Sequence, residues 1–225
     1  MDIDISELSV FRILGKDYNI PFESEKGGTK EKILVYSTML FAMRGYTAVS
    51  MKDIAAEAGI QSASLYYHFP SKGALWREVV GHTEELYRLY HDILREKLLS
   101  AESIEELLEI LFHEPEKMDN IFTCFAFSLI QSEQFRDEQT WRVYNETFMR
   151  YSIDVISASF DRAIRLGFAP QFDTVATAAA ILYFVLQQTN ITTQKLMGRV
   201  VPHDPPEFVK QYHAHLLNLL HASAR

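Results

Sequence analysis

The 225-residue chain has few of the residues that staple, break or anchor a fold. It holds one cysteine, Cys124, so no disulfide can close within it, which fits a reducing cytoplasm. Between Pro21 and Pro202 only Pro70, Pro115 and Pro170 interrupt the chain, leaving long stretches able to stay helical. Strand-like alternation bounded by hairpin turns is not evident. The longest apolar run, Val175 to Leu186, is about twelve residues and includes Thr177, short of the roughly 20 that a membrane span needs. The amino terminus carries Asp2 and Asp4 and lacks the basic region of a secretory signal. Glycine-rich phosphate loops and nucleophile-elbow motifs are missing.

What is present is helical periodicity and a 48% hydrophobic content that can build a core. We read the chain as all-α with about nine helices. Its net charge is −8, unevenly spread. Residues 1–25 hold two basic and six acidic groups, net −4; residues 26–80 hold seven and four, net +3; residues 81–225 hold thirteen and twenty, net −7. Positive charge is therefore gathered where phosphates would be met.

That basic segment reads as three short helices. The first runs from about Lys30 to Arg44 with Thr29 as N-cap, turns Ile33, Leu34, Leu40 and Phe41 inward, and ends at Gly45-Tyr46. The second starts at Ser50, which has capping-box spacing to Asp53, and ends at Gly59. The third spans Ser62 to about Phe69, because Pro70 disfavours helical geometry before it. A long fourth helix starts after Ser71 as N-cap and reaches about Leu99, linking the basic module to the rest. Further helices are expected over Ile104–Phe112, from Pro115 through the apolar Ile121–Ile130, over Glu138–Leu166, from Phe172 or Asp173 to Gly198, and over Glu207–Ala222. The division is an acidic extension (1–28), a helix-turn-helix domain (29–80) and a helical effector-binding and dimerisation domain (81–225). The extension reads as a tail or a short packed helix; its net −4 argues against a DNA-contacting arm.

The ordered set Gly45-Tyr46, Ser50-Met-Lys-Asp-Ile-Ala, Ala58-Gly59-Ile60, Leu65-Tyr66-Tyr67-His68-Phe69 and Lys72 with Leu75 resembles the TetR family of bacterial transcriptional regulators. The match covers about Thr29 to Val80. It implies a homodimer, an operator with two half-sites, and control by a small molecule. Its pattern carries Ser50, Lys52, Ser62, Ser64, Tyr66, Tyr67, His68 and Lys72 over as DNA contacts and assigns Leu65 and Phe69 to the core. The chemistry agrees. Helix three offers Ser62, Ala63 and Tyr67 near its outer face, where hydroxyls can bond base edges and an alanine can touch a thymine methyl group. Tyr66, Tyr67 and His68 can reach phosphate, as can Lys72 near a helix N-terminus. Ser50 and Lys52 open helix two, where backbone amides favour an anion.

Beyond residue 80, Phe122 and Phe125 share one helix face, and Trp141, Tyr144, Phe148 and Tyr151 form a stripe on another. With Thr123, Cys124, Ser128, Asn145 or Gln188 as polar anchors, these residues suit a mostly apolar effector. In the resembling family the last two helices pair with their twins. Here Ala176, Ala178, Ala179 and Ala180 permit close contact, and Phe184, Tyr212, Leu216 and Leu220 supply apolar area to a partner. No cofactor or metal is expected. His203, Glu207, His213, His215 and His221 are close in sequence, but their spacing suits neither a zinc site nor a metal-assisted hydrolase. A protein-interaction module that does not bind DNA is the other alternative; DNA binding without salt dependence would point to it.

Overall fold

A computed structural model describes residues 10–13, 16–19, 28–113, 121–199, 201 and 205–222. Two short strands come first, β1 (Val10–Ile13) and β2 (Lys16–Asn19), paired antiparallel. This corrects the tail-or-helix reading of that stretch. The register sets Phe11 opposite Tyr18 and Arg12 opposite Asp17. Aromatic and β-branched residues favour strand pairing, and the stretch is too short for its alternation to stand out in sequence. The remainder of the extension lies outside the described residues.

Nine helices follow among the described residues: α1 (Thr29–Arg44), α2 (Met51–Glu57), α3 (Ser62–His68), α4 (Lys72–Ser100), α5 (Ile104–His113), α6 (Ile121–Glu133), a rod α7, α8 (Thr174–Leu196) and α9 (Pro205–Ala222). The expected start of α6 at Pro115 lies outside the described residues. Thr29, expected as the α1 cap, is already helical. Gly28 caps instead, its carbonyl accepting from the Glu31 and Lys32 amides at 3.0 and 3.2 Å.

The rod α7 is one continuous helical path with a change of winding. Glu138–Arg142 is α-helical, Val143–Tyr151 is π-helical, and Ser152–Leu166 is α-helical again. Asp137 caps its start, and Gly167 at φ 82° ends it. The sequence reading foresaw the rod but not the π stretch. Thr147, Phe148 and Met149 are all buried, and the wider i→i+5 turn brings successive side chains closer to one face than an α-turn would.

By contact the chain forms two compact units, residues 1–87 with 118–145, and residues 88–117 with 146–225. Each takes part of α4. In the first, α1 packs on α6 as well as on α2. Its core includes Ile33, Leu40, Phe41, Ile54, Leu65, Phe69, Val79 and Phe125. Leu65 and Phe69 are core, as their place in the pattern implied. In the second, α8 packs on the Ser152–Leu166 part of α7, and α9 packs on α5. Phe160, Leu107, Leu108 and Ile181 are fully enclosed there. No described helix is long and apolar enough to cross a membrane.

Candidate nucleic-acid interface

The turn between α2 and α3 is built from backbone bonds. Gly59 takes φ 62°, the Ile60 amide donates to the Ala55 carbonyl at 2.9 Å, and the Gly59 amide donates to Ala56 at 3.1 Å. This is a Schellman closure, which needs a residue that tolerates positive φ. At the other end of α2 the capping box is complete. The Asp53 amide donates to Ser50 Oγ at 3.1 Å, and the Ser50 amide donates to Asp53 Oδ2 at 2.8 Å. The Ser50 hydroxyl bond, then its amide, hold the Asp53 carboxyl below its ordinary pKa.

Leu65, buried completely, anchors α3 and turns its other faces outward. Tyr67 is 86% exposed and Tyr66 52% exposed, so neither packs α3 onto α1 as a core aromatic would. Ser62 and Ala63 are exposed and Ser64 is half-buried. His68 is half-buried, edge-on to Tyr67 at 5.2 Å. Lys52 and Ser50 are exposed at the start of α2. Lys72 is more committed than its position suggests. Its ammonium lies 4.2 Å over the Tyr46 ring and donates to the Thr47 carbonyl at 3.4 Å. Burial, and then the nearby Arg136 charge, lower its pKa.

Two exposed residues escaped the sequence reading. Gln61 is the N-cap of α3, yet its side chain makes no bond to that helix, so its amide is available beside Ser62. Thr47 sits on the turn that receives Lys72. Only placement next to the capped ends could have revealed either one.

A scan against family profiles matches residues 33–79 to the bacterial regulatory proteins of the tetR family. A curated relative, the HTH-type transcriptional repressor KstR2 of Rhodococcus jostii, is 33% identical over 126 residues, which are 56% of this chain and 57% of that protein. The likeness to the tetR family is carried by residues 33–79. The aligned stretch spans a little over half of that relative's own length. Among solved structures, GusR of Salmonella enterica aligns over 88% of this chain and 98% of its own with TM-score 0.61 at 21% identity. A tetR-family regulator from Mesorhizobium loti aligns over 89% and 98% with TM-score 0.65 at 20% identity. These two share the fold.

The tetR-family profile covers every expected DNA contact from Ser50 to Lys72, but none of the expected effector or dimer residues. Phe125 is buried in the first unit with half-buried Tyr144, while Trp141 is 48% exposed. Phe148 and Gln188 belong to the second unit, buried and half-buried respectively. The side chains of Phe122 and Thr123 lie outside the described residues. Cys124 is buried, and burial pushes its thiol up to about 11, far from an activated nucleophile.

Of the expected dimer residues, Phe184 and Tyr212 are half-buried within one chain. Leu216 and Leu220 are buried within the chain itself. Tyr212 stacks on Phe184 at 4.7 Å, and both meet Phe112 of α5. Among the described residues, the large apolar side chains that α8 and α9 expose are Tyr183, Val175 and Leu219. Periodicity marked an apolar stripe, and Leu216 and Leu220 use part of it for packing within the chain. His213 also stacks on Phe112, at 5.4 Å, and His215 is exposed. His203 and the side chains of Glu207 and His221 lie outside the described residues.

Proposed function

We propose that this chain is a dimeric, cytoplasmic transcriptional repressor that reads a palindromic operator through α3 and is controlled by a small, mostly apolar effector. The carrying observation is Tyr67 standing 86% exposed on a helix whose Leu65 is fully buried, so a rigid element presents polar and aromatic groups to solvent. Ser62, Ala63 and Gln61 at the start of α3 are small or amide-bearing and suit base edges; Tyr66, Tyr67, His68, Ser50 and Lys52 suit phosphates. Ser64 and Lys72 contribute from less exposed positions. The Rhodococcus relative, named a repressor, supports the direction of control.

DNA favours a spacing of the two α3 helices near one helical turn, roughly 34–36 Å. An effector releases the operator only if it binds better to a different arrangement. Phe125, Trp141 and Tyr144 in the first unit are candidate contacts for it, and Tyr183 and Leu219 join the candidate dimer surface.

Selection from a random double-stranded DNA pool with the purified chain tests this reading. Enrichment of an inverted repeat is the expected outcome. A folded dimer that enriches nothing, with or without cell extract, would refute it.

A further inference from the structure

The DNA-reading module is gripped by residues that lie outside the tetR-family match. α6 ends at Glu133 and α7 begins at Glu138, and the short connector between them carries the grip. Glu133 Oε1 accepts the Tyr46 backbone amide at 3.1 Å. Tyr46 follows Gly45, whose φ of 80° ends α1, so this bond fixes the turn that leads to α2. The other Glu133 oxygen accepts from Arg136 Nε at 2.7 Å. The Arg136 guanidinium lies 4.0 Å over the Tyr46 ring and 5.6 Å over Trp76, while Lys72 also approaches Tyr46.

Asp137 makes the second hold. Its Oδ1 accepts from the Thr140 amide and hydroxyl, each at 2.8 Å, capping α7. Its Oδ2 accepts from Trp76 Nε1 at 2.8 Å, and Trp76 lies in the second turn of α4. One carboxylate thus ties the end of α6 to the α1–α2 turn, and the other ties the start of α7 to α4. Charged acceptors make such bonds stronger than neutral ones. A surface cleft of about 350 Å³ lined by Tyr46, Trp76, Arg136 and Asp137 leaves this joint room to shift.

We propose that Glu133 and Asp137 are positioning residues through which α6 and α7 set the pose of the DNA reader. The proposal rests on the DNA-binding reading above. Phe125 lies on α6, and Trp141 and Tyr144 lie on α7, so an effector that changes the spacing of these helices pulls on one carboxylate or the other. The Tyr46 turn or the Trp76 end of α4 then loosens, and α3 loses its support. Coupling runs through the connector as well as along α4.

Three variants test it without knowing the effector. Glu133→Ala removes the acceptor for Tyr46. Glu133→Gln keeps an acceptor and loses the ion pair. Asp137→Asn keeps the helix cap and loses the acceptor for the indole. Amide exchange at Tyr46 and affinity for the selected duplex are read alongside helicity and dimerisation. Glu133→Ala is expected to speed Tyr46 exchange and weaken DNA binding by about tenfold each, Glu133→Gln to stay within about threefold, and Asp137→Asn to weaken binding about tenfold at unchanged helicity. Exchange and affinity within about twofold of the parent for both Glu133→Ala and Asp137→Asn would overturn the proposal. Should Glu133→Ala unfold, Asp137→Asn decides. Should the parent chain bind no DNA, the regulator reading fails, and Tyr46 exchange alone decides the clamp.

Discussion

Ser50 has two duties that substitution can separate. Its hydroxyl caps α2 through the Asp53 amide, and its exposed position makes it a candidate phosphate contact. Ser50→Ala is expected to lower stability by about 1 kcal/mol, read as a shift in the urea midpoint. Ser50→Asp keeps a capping oxygen but places a negative charge where phosphate would sit. It also replaces the hydroxyl that donates to Asp53 Oδ2 at 2.6 Å with a second carboxylate, so it is expected to lower the midpoint no less than Ser50→Ala and to weaken operator binding further. Equal DNA affinity for Ser50→Asp and the parent would remove Ser50 from the interface. The same separation is visible along α3. Leu65 was legible as core because the resembling family's pattern assigns it there, and the structure buries it completely. How far Tyr66 and Tyr67 stand out was not legible, since an aromatic at either position could equally have packed on α1.

At the scale of elements, the turn before α3 depends on Gly59. Its φ of 62° costs a side-chain-bearing residue about 1–2 kcal/mol, although there is space for a Cβ, with only the Lys32 ammonium near at 3.9 Å. Gly59→Val is expected to lower the unfolding free energy by at least that amount, and calorimetry showing no loss would contradict the strained-turn account. Helices were legible where their stops are chemical, as at Gly45, Gly59, Pro70 and Gly167. They were less so where backbone does the capping, as Gly28 does for α1 in place of Thr29. The π-helical Val143–Tyr151 stretch and the short β1–β2 pair had no periodic signature long enough to read. The α9 stripe was legible as apolar but not by partner. Tyr212, Leu216 and Leu220 repeat as an interface would, while Leu216 and Leu220 are already buried within one chain and Tyr212 meets Phe112, because periodicity records which face is buried and not what buries it.

At the scale of the molecule, stability and DNA reading make separate demands. His91 in the second unit is 2% exposed, with Nε2 at 3.0 Å from the Ser152 hydroxyl, and burial lowers its pKa from 6.5 to about 3. The unfolded chain therefore takes up this proton below about 6.5 while the folded chain does not until about 3. Across that window the unfolded state binds more protons, so stability falls as pH drops, by about 1.4 kcal/mol per unit from this group. Going from pH 7 to pH 5 is expected to cost about 2 kcal/mol from His91, and His82, lowered by burial to about 4, adds a similar amount, so His91→Gln should halve that part of the profile. An unchanged slope in the variant would place the acid sensitivity elsewhere. Operator binding should depend steeply on salt, because each phosphate contact releases counterions. The central claim is that α3 reads DNA through its exposed aromatic face. Its most direct test is the affinity of Tyr67→Ala for the selected duplex, measured by fluorescence anisotropy beside helicity and dimerisation. The expected result is loss of binding by about a hundredfold with fold and dimer intact, as removal of a central contact residue gives. Undiminished affinity in a folded, dimeric Tyr67→Ala would contradict the account.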